Sequence, residues 1–264
     1  MHKKDYKRKP SIFNMQNQKG QVAIFIMLAL VIVAVIIVIL LKPKSIIPST
    51  NEFSPSSFLK SCLESDLKSN IELLSKNGGY KEEGELKYQG DKIKYLCYTA
   101  EYYKTCVIQQ PLLKEHFEKE LSISLSSKAQ QCIQNLKKEY EGKGYQVTSG
   151  KTDLSVSINP EETNLILNSP LTIKKENTQS FRQFEIKEKS QMYELLMTAV
   201  SILDYESSLG DSETTLYMKY YPNLKIEKVK LSDGSKVYTL TNVITKESFR
   251  FASRSLSWPP GYGL

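Results

Sequence analysis

The chain has 264 residues, 40% of them hydrophobic and 25% charged, with 12 Gly, 10 Pro and 4 Cys, a composition that excludes disordered, collagen-like and disulfide-dense miniprotein classes. The formal net charge of +7 is uneven, because residues 1–50 hold 8 basic residues and 1 acidic one while residues 51–264 hold 28 of each. A neutral body argues against a nucleic-acid-binding domain, which needs its basic excess on the folded part.

Residues 22–41, VAIFIMLALVIVAVIIVILL, contain no charge, Pro, Gly or Ser. At a rise of about 1.5 Å per residue this run reaches roughly 30 Å, the thickness of a bilayer's hydrocarbon core. It also lacks the polar stripe of a soluble helix of that length. The run predicts a transmembrane helix, with the lipid bilayer as its partner. Lys3, Lys4, Lys7, Arg8, Lys9 and Lys19 precede it against Asp5, and only Lys42 and Lys44 follow closely. The positive-inside rule therefore places the N-terminus in the cytoplasm and the body outside. A run this long, followed by Lys42-Pro43-Lys44-Ser45, reads as an uncleaved anchor rather than a signal peptide. The expected order is a basic cytoplasmic tail (1–21), a transmembrane helix (22–41), a stalk (42–57) and an exported α+β domain (58–264).

Lys19-Gly20-Gln21, set between a basic tail and an unbroken apolar helix, resembles the class III, prepilin-like leader of archaea. The resemblance implies cleavage between Gly20 and Gln21 by a prepilin-type peptidase. Where that family commonly has Ser and Glu, two and four positions after the Gln, this chain has Ala23 and Phe25. With Gln-Val-Ala-Ile-Phe-Ile after the Gly and a Cys-Leu helix ending in Gly-Gly-Tyr, most of the chain loosely resembles a group of uncharacterised archaeal single-pass membrane proteins. That resemblance implies no activity. The leader alone implies an alternative, a type IV pilin-like filament or surface-structure subunit. Pro43, Pro48 and Pro55 would interrupt the continuous helix that such a subunit uses.

In the exported body, Ser54-Pro55 supplies an N-cap and a Pro at the first helical position, and Leu59, Leu63, Leu67 and Ile71 follow at steps of four up to Lys76. Asn77-Gly78-Gly79 ends that helix. Lys92–Tyr98 and Tyr103–Gln109 read as two strands around Thr99-Ala100-Glu101. After Pro111 a long stripe from Leu113 to Tyr140 predicts a second helix, with a break expected at Ser122–Ser127. Asp153–Ile158, Asn164–Leu167 and Phe181–Ile186 alternate as strands punctuated by Asn159-Pro160 and Ser169-Pro170. Gln191–Leu209 predicts a third helix at the centre of the core. Asp233-Gly234 between two alternating runs marks a hairpin, and Ser248–Arg254 adds a strand. The class is α+β, about three helices on a largely antiparallel sheet.

Cys62, Cys97, Cys106 and Cys132 all fall in the body, and an exported location favours disulfides. Cys97 and Cys106 flank the expected hairpin while Cys62 and Cys132 lie on apolar helix faces, so the favoured pairs are Cys97–Cys106 and Cys62–Cys132. Other pairings and a four-thiol zinc site are the alternatives.

His2 and His116 are the only histidines, which leaves no two-His metal site or His-paired nucleophile to assemble. Ser65-x-x-Lys68 has the spacing of a Ser–Lys pair but lacks companion motifs and reads as two solvated residues. Glu82-Glu83 and Glu161-Glu162 read as solvated loop carboxylates. No cofactor, metal or catalytic residue is expected, and an exported hydrolase is the second alternative. Two Tyr clusters, Tyr95/Tyr98/Tyr102/Tyr103 and Tyr217/Tyr220/Tyr221, fit either strand packing or a protein or cell-surface interface. Ser257–Leu264, holding the only Trp, is too rich in Pro and Gly for regular structure. It reads as tucked against the domain, the alternative being a docking peptide. The function this supports is a membrane-anchored extracytoplasmic domain of binding or structural character.

Overall fold

The computed structural model describes residues 26–36 and 54–257, and the chain divides into two units, Met1–Glu52 and Phe53–Leu264. In the first unit helix α1 covers 26–36 with every side chain exposed. Among the described residues no helix is long and apolar enough to cross a membrane. What is described of the expected span 22–41 is thus one short helix. Its two ends, the tail with Gly20-Gln21, the stalk up to Phe53 and the C-terminal Trp258–Leu264 lie outside the described residues.

The second unit is mixed α and β. Helix α2, Pro55–Lys76, starts on the expected Ser54-Pro55 signal, inside the segment read as stalk, because Pro at the first position forfeits no helical hydrogen bond. It buries Leu59, Leu63, Leu67 and Leu74, each stabilising by about 1.5–3 kcal/mol. The Gly79 N–H closes the helix on the Leu74 carbonyl at 2.8 Å.

The expected strand 92–98 is divided between two sheets. Strands β1 (Leu86–Tyr88) and β2 (Asp91–Ile93) form an antiparallel hairpin of their own. Strand β3 (Tyr95–Tyr98) joins the main sheet. Ile93 packs with Leu86, Val237 and Ala252 in a small satellite cluster, whereas Leu96 and Cys97 belong to the main core. The second expected strand shrinks to β4, Val107–Ile108. Tyr103 takes φ 60°, which ends extended structure there.

Helix α3, Leu113–Gly142, runs without the expected break. Leu121, Leu125 and Ala129 are sealed from solvent on its inner face, while the Ser122 hydroxyl donates to the Leu154 carbonyl and the Ser126 hydroxyl to the Ser122 carbonyl. Packing therefore overrides the poor propensity of the serines.

A four-stranded antiparallel sheet follows from β5 (Gln146–Ser149), β6 (Asp153–Asn159), β7 (Glu162–Lys174) and β8 (Thr178–Lys189). Strand β7 passes through Ser169-Pro170, where the sequence suggested an interruption. A register shift against β8 lies between Asn168 and Leu171, and the other edge of β7 changes partner there from β6 to β5. A Pro, lacking a donor, is tolerated at such an irregularity.

Helix α4, Met192–Leu209, buries Leu195, Leu196, Ala199, Ile202 and Leu203. A short helix missed from sequence, α5 (Thr215–Tyr220), comes next. Strands β9 (Leu224–Lys230), β10 (Ser235–Asn242) and β11 (Ser248–Arg254) complete a five-stranded sheet of order β4-β3-β11-β10-β9. The pair β11–β3 is parallel and the rest antiparallel. Helix α3 lies on β5 and β6, α4 on β10 and β11, and α2 against α3, β8 and β11, so one apolar core joins the helices to both sheets.

Candidate functional site

The α4 stripe that carries Ala199, Ile202 and Leu203 continues to Glu206, a carboxylate with 0% exposure. Burying a charge is costly unless it is paired and hydrogen-bonded, and here every approach is filled. Lys236 Nζ donates to Oε2 at 2.7 Å, Ser253 Oγ to the same oxygen at 2.9 Å, the Ser212 N–H to Oε1 at 2.9 Å, and the Tyr238 hydroxyl also to Oε1. Lys236 donates as well to the carbonyl of Gly210. Gly210 caps α4 in the left-handed region at φ 88°, where a side chain would be strained.

Beside this cluster, Asp211 accepts from Lys228 at 2.9 Å and from Lys230 at 2.7 Å. Burial alone would raise its pKa, but those hydrogen bonds and the Lys236 charge outweigh it and hold the carboxyl below its usual range. Burial, then the neighbouring Glu206 charge, pushes the Tyr238 hydroxyl well above the ordinary tyrosine range. With Glu206 and Lys236 nearly closed to solvent and both carboxylate oxygens hydrogen-bonded, the cluster is a lock that fixes the end of α4 on β10 and β11.

Helix α5 follows that cluster in the chain, rests on β9 and contributes no buried residue. Leu216 and Tyr221 are each 56% exposed and Tyr220 is 75% exposed. A concavity of about 350 Å³ on one side of α5 is lined by Tyr193, Met197, Ser201, Tyr217, Tyr221 and Leu224 among others. A second, of about 270 Å³, is lined by Tyr205, Glu213, Leu216, Tyr217, Tyr220 and Tyr221. The two share Tyr217 and Tyr221 in their walls and together give α5 a tyrosine-lined, grooved surface, with the Tyr217 hydroxyl held 2.8 Å from Ser201 Oγ. Rings with polar tips give large contact area at little entropic cost.

A larger concavity of about 780 Å³ lies among α2, the end of β8 and the β10–β11 turn. Four of its charges are paired. Lys68 pairs with Glu188 at 3.3 Å and Lys76 with Glu72 at 2.6 Å. Glu247 reaches across to the start of α4, accepting from Ser190 Oγ at 2.6 Å and the Gln191 N–H at 2.7 Å. Glu161, Lys189 and Lys246, which also line it, form no salt bridge among the described residues.

Of the residues singled out from sequence, Cys62 is bonded to Cys132 and Cys97 to Cys106, with Cα–Cα distances of 6.0 and 5.3 Å. These are the favoured pairs, and they engage all four sulfurs. The first staples α2 to α3 and the second closes β3 on the segment leading into β4. Ser65 is exposed and bonded to Asp66, while Lys68 turns to Glu64 and Glu188, so the Ser–Lys spacing makes no dyad. His116 packs on Tyr80 with ring centroids 4.2 Å apart, and burial pushes its imidazole below the usual range. Tyr95 turns inward to Ser235 Oγ at 2.8 Å. Arg254 lies over Tyr98 and Tyr102, its guanidinium carbon 5.9 and 6.0 Å from the ring centroids. Glu162 pairs with Lys187. Gly20 and Gln21 lie outside the described residues.

Glu206, Lys236, Tyr238 and Asp211 were missed. The signal was present in part, since Glu206 interrupts the apolar stripe of α4 at a helical step. Among the described residues no group of three or more His, Cys, Asp or Glu is placed to hold a metal ion. No protein-family model matches the chain, and no curated protein or solved structure shows significant similarity to it.

Proposed function

We propose that this chain is a single-pass membrane protein whose C-terminal domain lies outside the cytoplasm and binds extended polypeptide segments in the tyrosine-lined groove beside α5. The observation that carries the binding role is the exposure of Leu216, Tyr220 and Tyr221 around a concave surface. Aromatic-lined grooves dock extended, proline-containing segments because such segments have little conformational entropy left to lose. The anchor is supported by the uncharged run 22–41 and the basic residues before it. Two disulfides fit an oxidising compartment.

The test is a photo-crosslinking amino acid placed at Tyr220 in the full chain, expressed in cells, with the same label at the exposed Ile123 of α3 as control. A discrete polypeptide adduct at 220 and none at 123 is expected. Equal adduct patterns at both sites, or none at 220, would overturn the reading.

A further inference from the structure

We infer that the chain's own C-terminal segment, Trp258 to Leu264, folds back in cis over the groove at α5 and is its resident occupant. The inference rests on reading that groove as a binding surface.

The first support is where the described chain stops. Beyond β11, Ser255 Oγ donates to the Glu206 carbonyl at 2.9 Å and Ser257 Oγ to the Leu209 carbonyl at 3.3 Å. The last residues therefore track along the C-terminal turn of α4. Ser257 stands so close to Gly210 that a Cβ there would collide with it. Tyr205, on the groove wall, is one helical turn from Leu209, about 6 Å along the axis. The seven residues from Trp258 to Leu264 reach roughly 22 Å at ~3.1 Å per extended residue, ample for that distance.

The second support is chemical fit. Trp258-Pro259-Pro260-Gly261-Tyr262-Gly263-Leu264 carries no side-chain charge, and its paired prolines favour the polyproline conformation that aromatic grooves accept. The surface beside Ser257 runs from Leu209 (56% exposed) through Tyr205 to Leu216 and Tyr220, an apolar patch of the kind a soluble surface seldom leaves uncovered. A tethered ligand works at millimolar effective concentration, so modest contacts suffice. The competing aromatic cluster, Tyr98 and Tyr102, already has Arg254 on its rings. In this arrangement a partner reaches the groove only by displacing the tail.

Trp258 is the only tryptophan, so the emission of the purified full chain in detergent reports on this segment alone. Emission blue-shifted from that of the free peptide Ser-Trp-Pro-Pro-Gly-Tyr-Gly-Leu, with acrylamide quenching several-fold weaker, is expected. Tyr220→Ala and Leu216→Ser, at exposed positions, should each return quenching to the free-peptide level with unchanged circular dichroism, while Tyr102→Ala should not. Free-peptide emission in the unaltered chain overturns the inference. So does shielding that survives both groove substitutions, which would locate the tail elsewhere or in the micelle, and so does shielding lost on dilution, which would assign the tail to a second copy. An exposed Trp258 alongside a specific adduct at 220 removes the tail and keeps the partner site. A shielded Trp258 with no partner adduct at 220, even in Trp258→Ala, does the reverse.

Discussion

Lys236 Nζ lies 2.7 Å from Glu206 Oε2 with side-chain exposures of 6% and 0%, an ion pair enclosed between β10 and the last turn of α4. Bringing two charges out of water opposes folding, and their attraction offsets that cost only when geometry and extra hydrogen bonds are good. Here Tyr238, Ser253 and the Ser212 N–H supply those bonds. Glu206→Leu is therefore expected to strand the Lys236 charge and destabilise the domain by about 3–5 kcal/mol, whereas Glu206→Leu with Lys236→Met should recover the part due to that charge and keep the cost of the three donors left without an acceptor. Thermal unfolding of the full chain followed by far-ultraviolet circular dichroism measures both. A double variant no more stable than the single one would refute the pairing.

The two disulfides differ in the loop that they close, 70 residues for Cys62–Cys132 against 9 for Cys97–Cys106. In the chain-entropy account their removal costs about 4 and about 2.5 kcal/mol respectively. Replacing Cys62 and Cys132 by Ala should therefore lower the unfolding temperature more than replacing Cys97 and Cys106. Intact mass under non-reducing conditions should be four hydrogens below that of the reduced chain. Four thiols alkylated in the native protein would contradict both statements.

The proposed membrane orientation has its own measurement. The six basic residues ahead of Val22 resist translocation, so protease added outside intact cells should digest the C-terminal domain and spare a tag placed before Lys3. The opposite protection pattern reverses the orientation.

Local signals were legible where one face of an element decides its packing. The leucines of α2, the stripe of α4 and the Asp233-Gly234 turn are read from spacing alone and stand where expected. Legibility failed where distant residues decide. Whether 92–98 is one strand or two depends on Ile93 finding Val237 and Ala252 while Leu96 enters the other core, and no local pattern encodes that choice. Lys236 and Tyr238, alternate residues of β10, are buried because they face Glu206 of α4, so polar residues that look solvent-facing in the sequence turn to the core. The groove is intermediate. The Tyr217/Tyr220/Tyr221 cluster was visible as a cluster, but its concavity comes from Tyr193 and Tyr205 on a neighbouring helix.

Asp211 supplies the pH dependence. Its carboxyl is held below the ordinary range in the folded chain, where burial is outweighed by hydrogen bonds from Lys230 and Lys228 and by the charge of Lys236. A depressed folded value means that the unfolded chain takes up a proton first as pH falls. The stabilisation is therefore complete above the unfolded value, near 3.9, and is lost as pH falls through the lower folded value. Asp211→Asn should cost about 1–2 kcal/mol at neutral pH, a charge-assisted bond reduced by solvent screening at a partly exposed site. Other carboxylates held low, such as Glu85 and Asp91, titrate in both proteins and cancel in the difference. Melting of the two chains side by side from pH 7 downward should show a constant gap of a few degrees that closes only below the ordinary carboxylate range. A gap that is absent at pH 7, or unchanged in strong acid, would show that Asp211 gives the α4 lock no charge-dependent support.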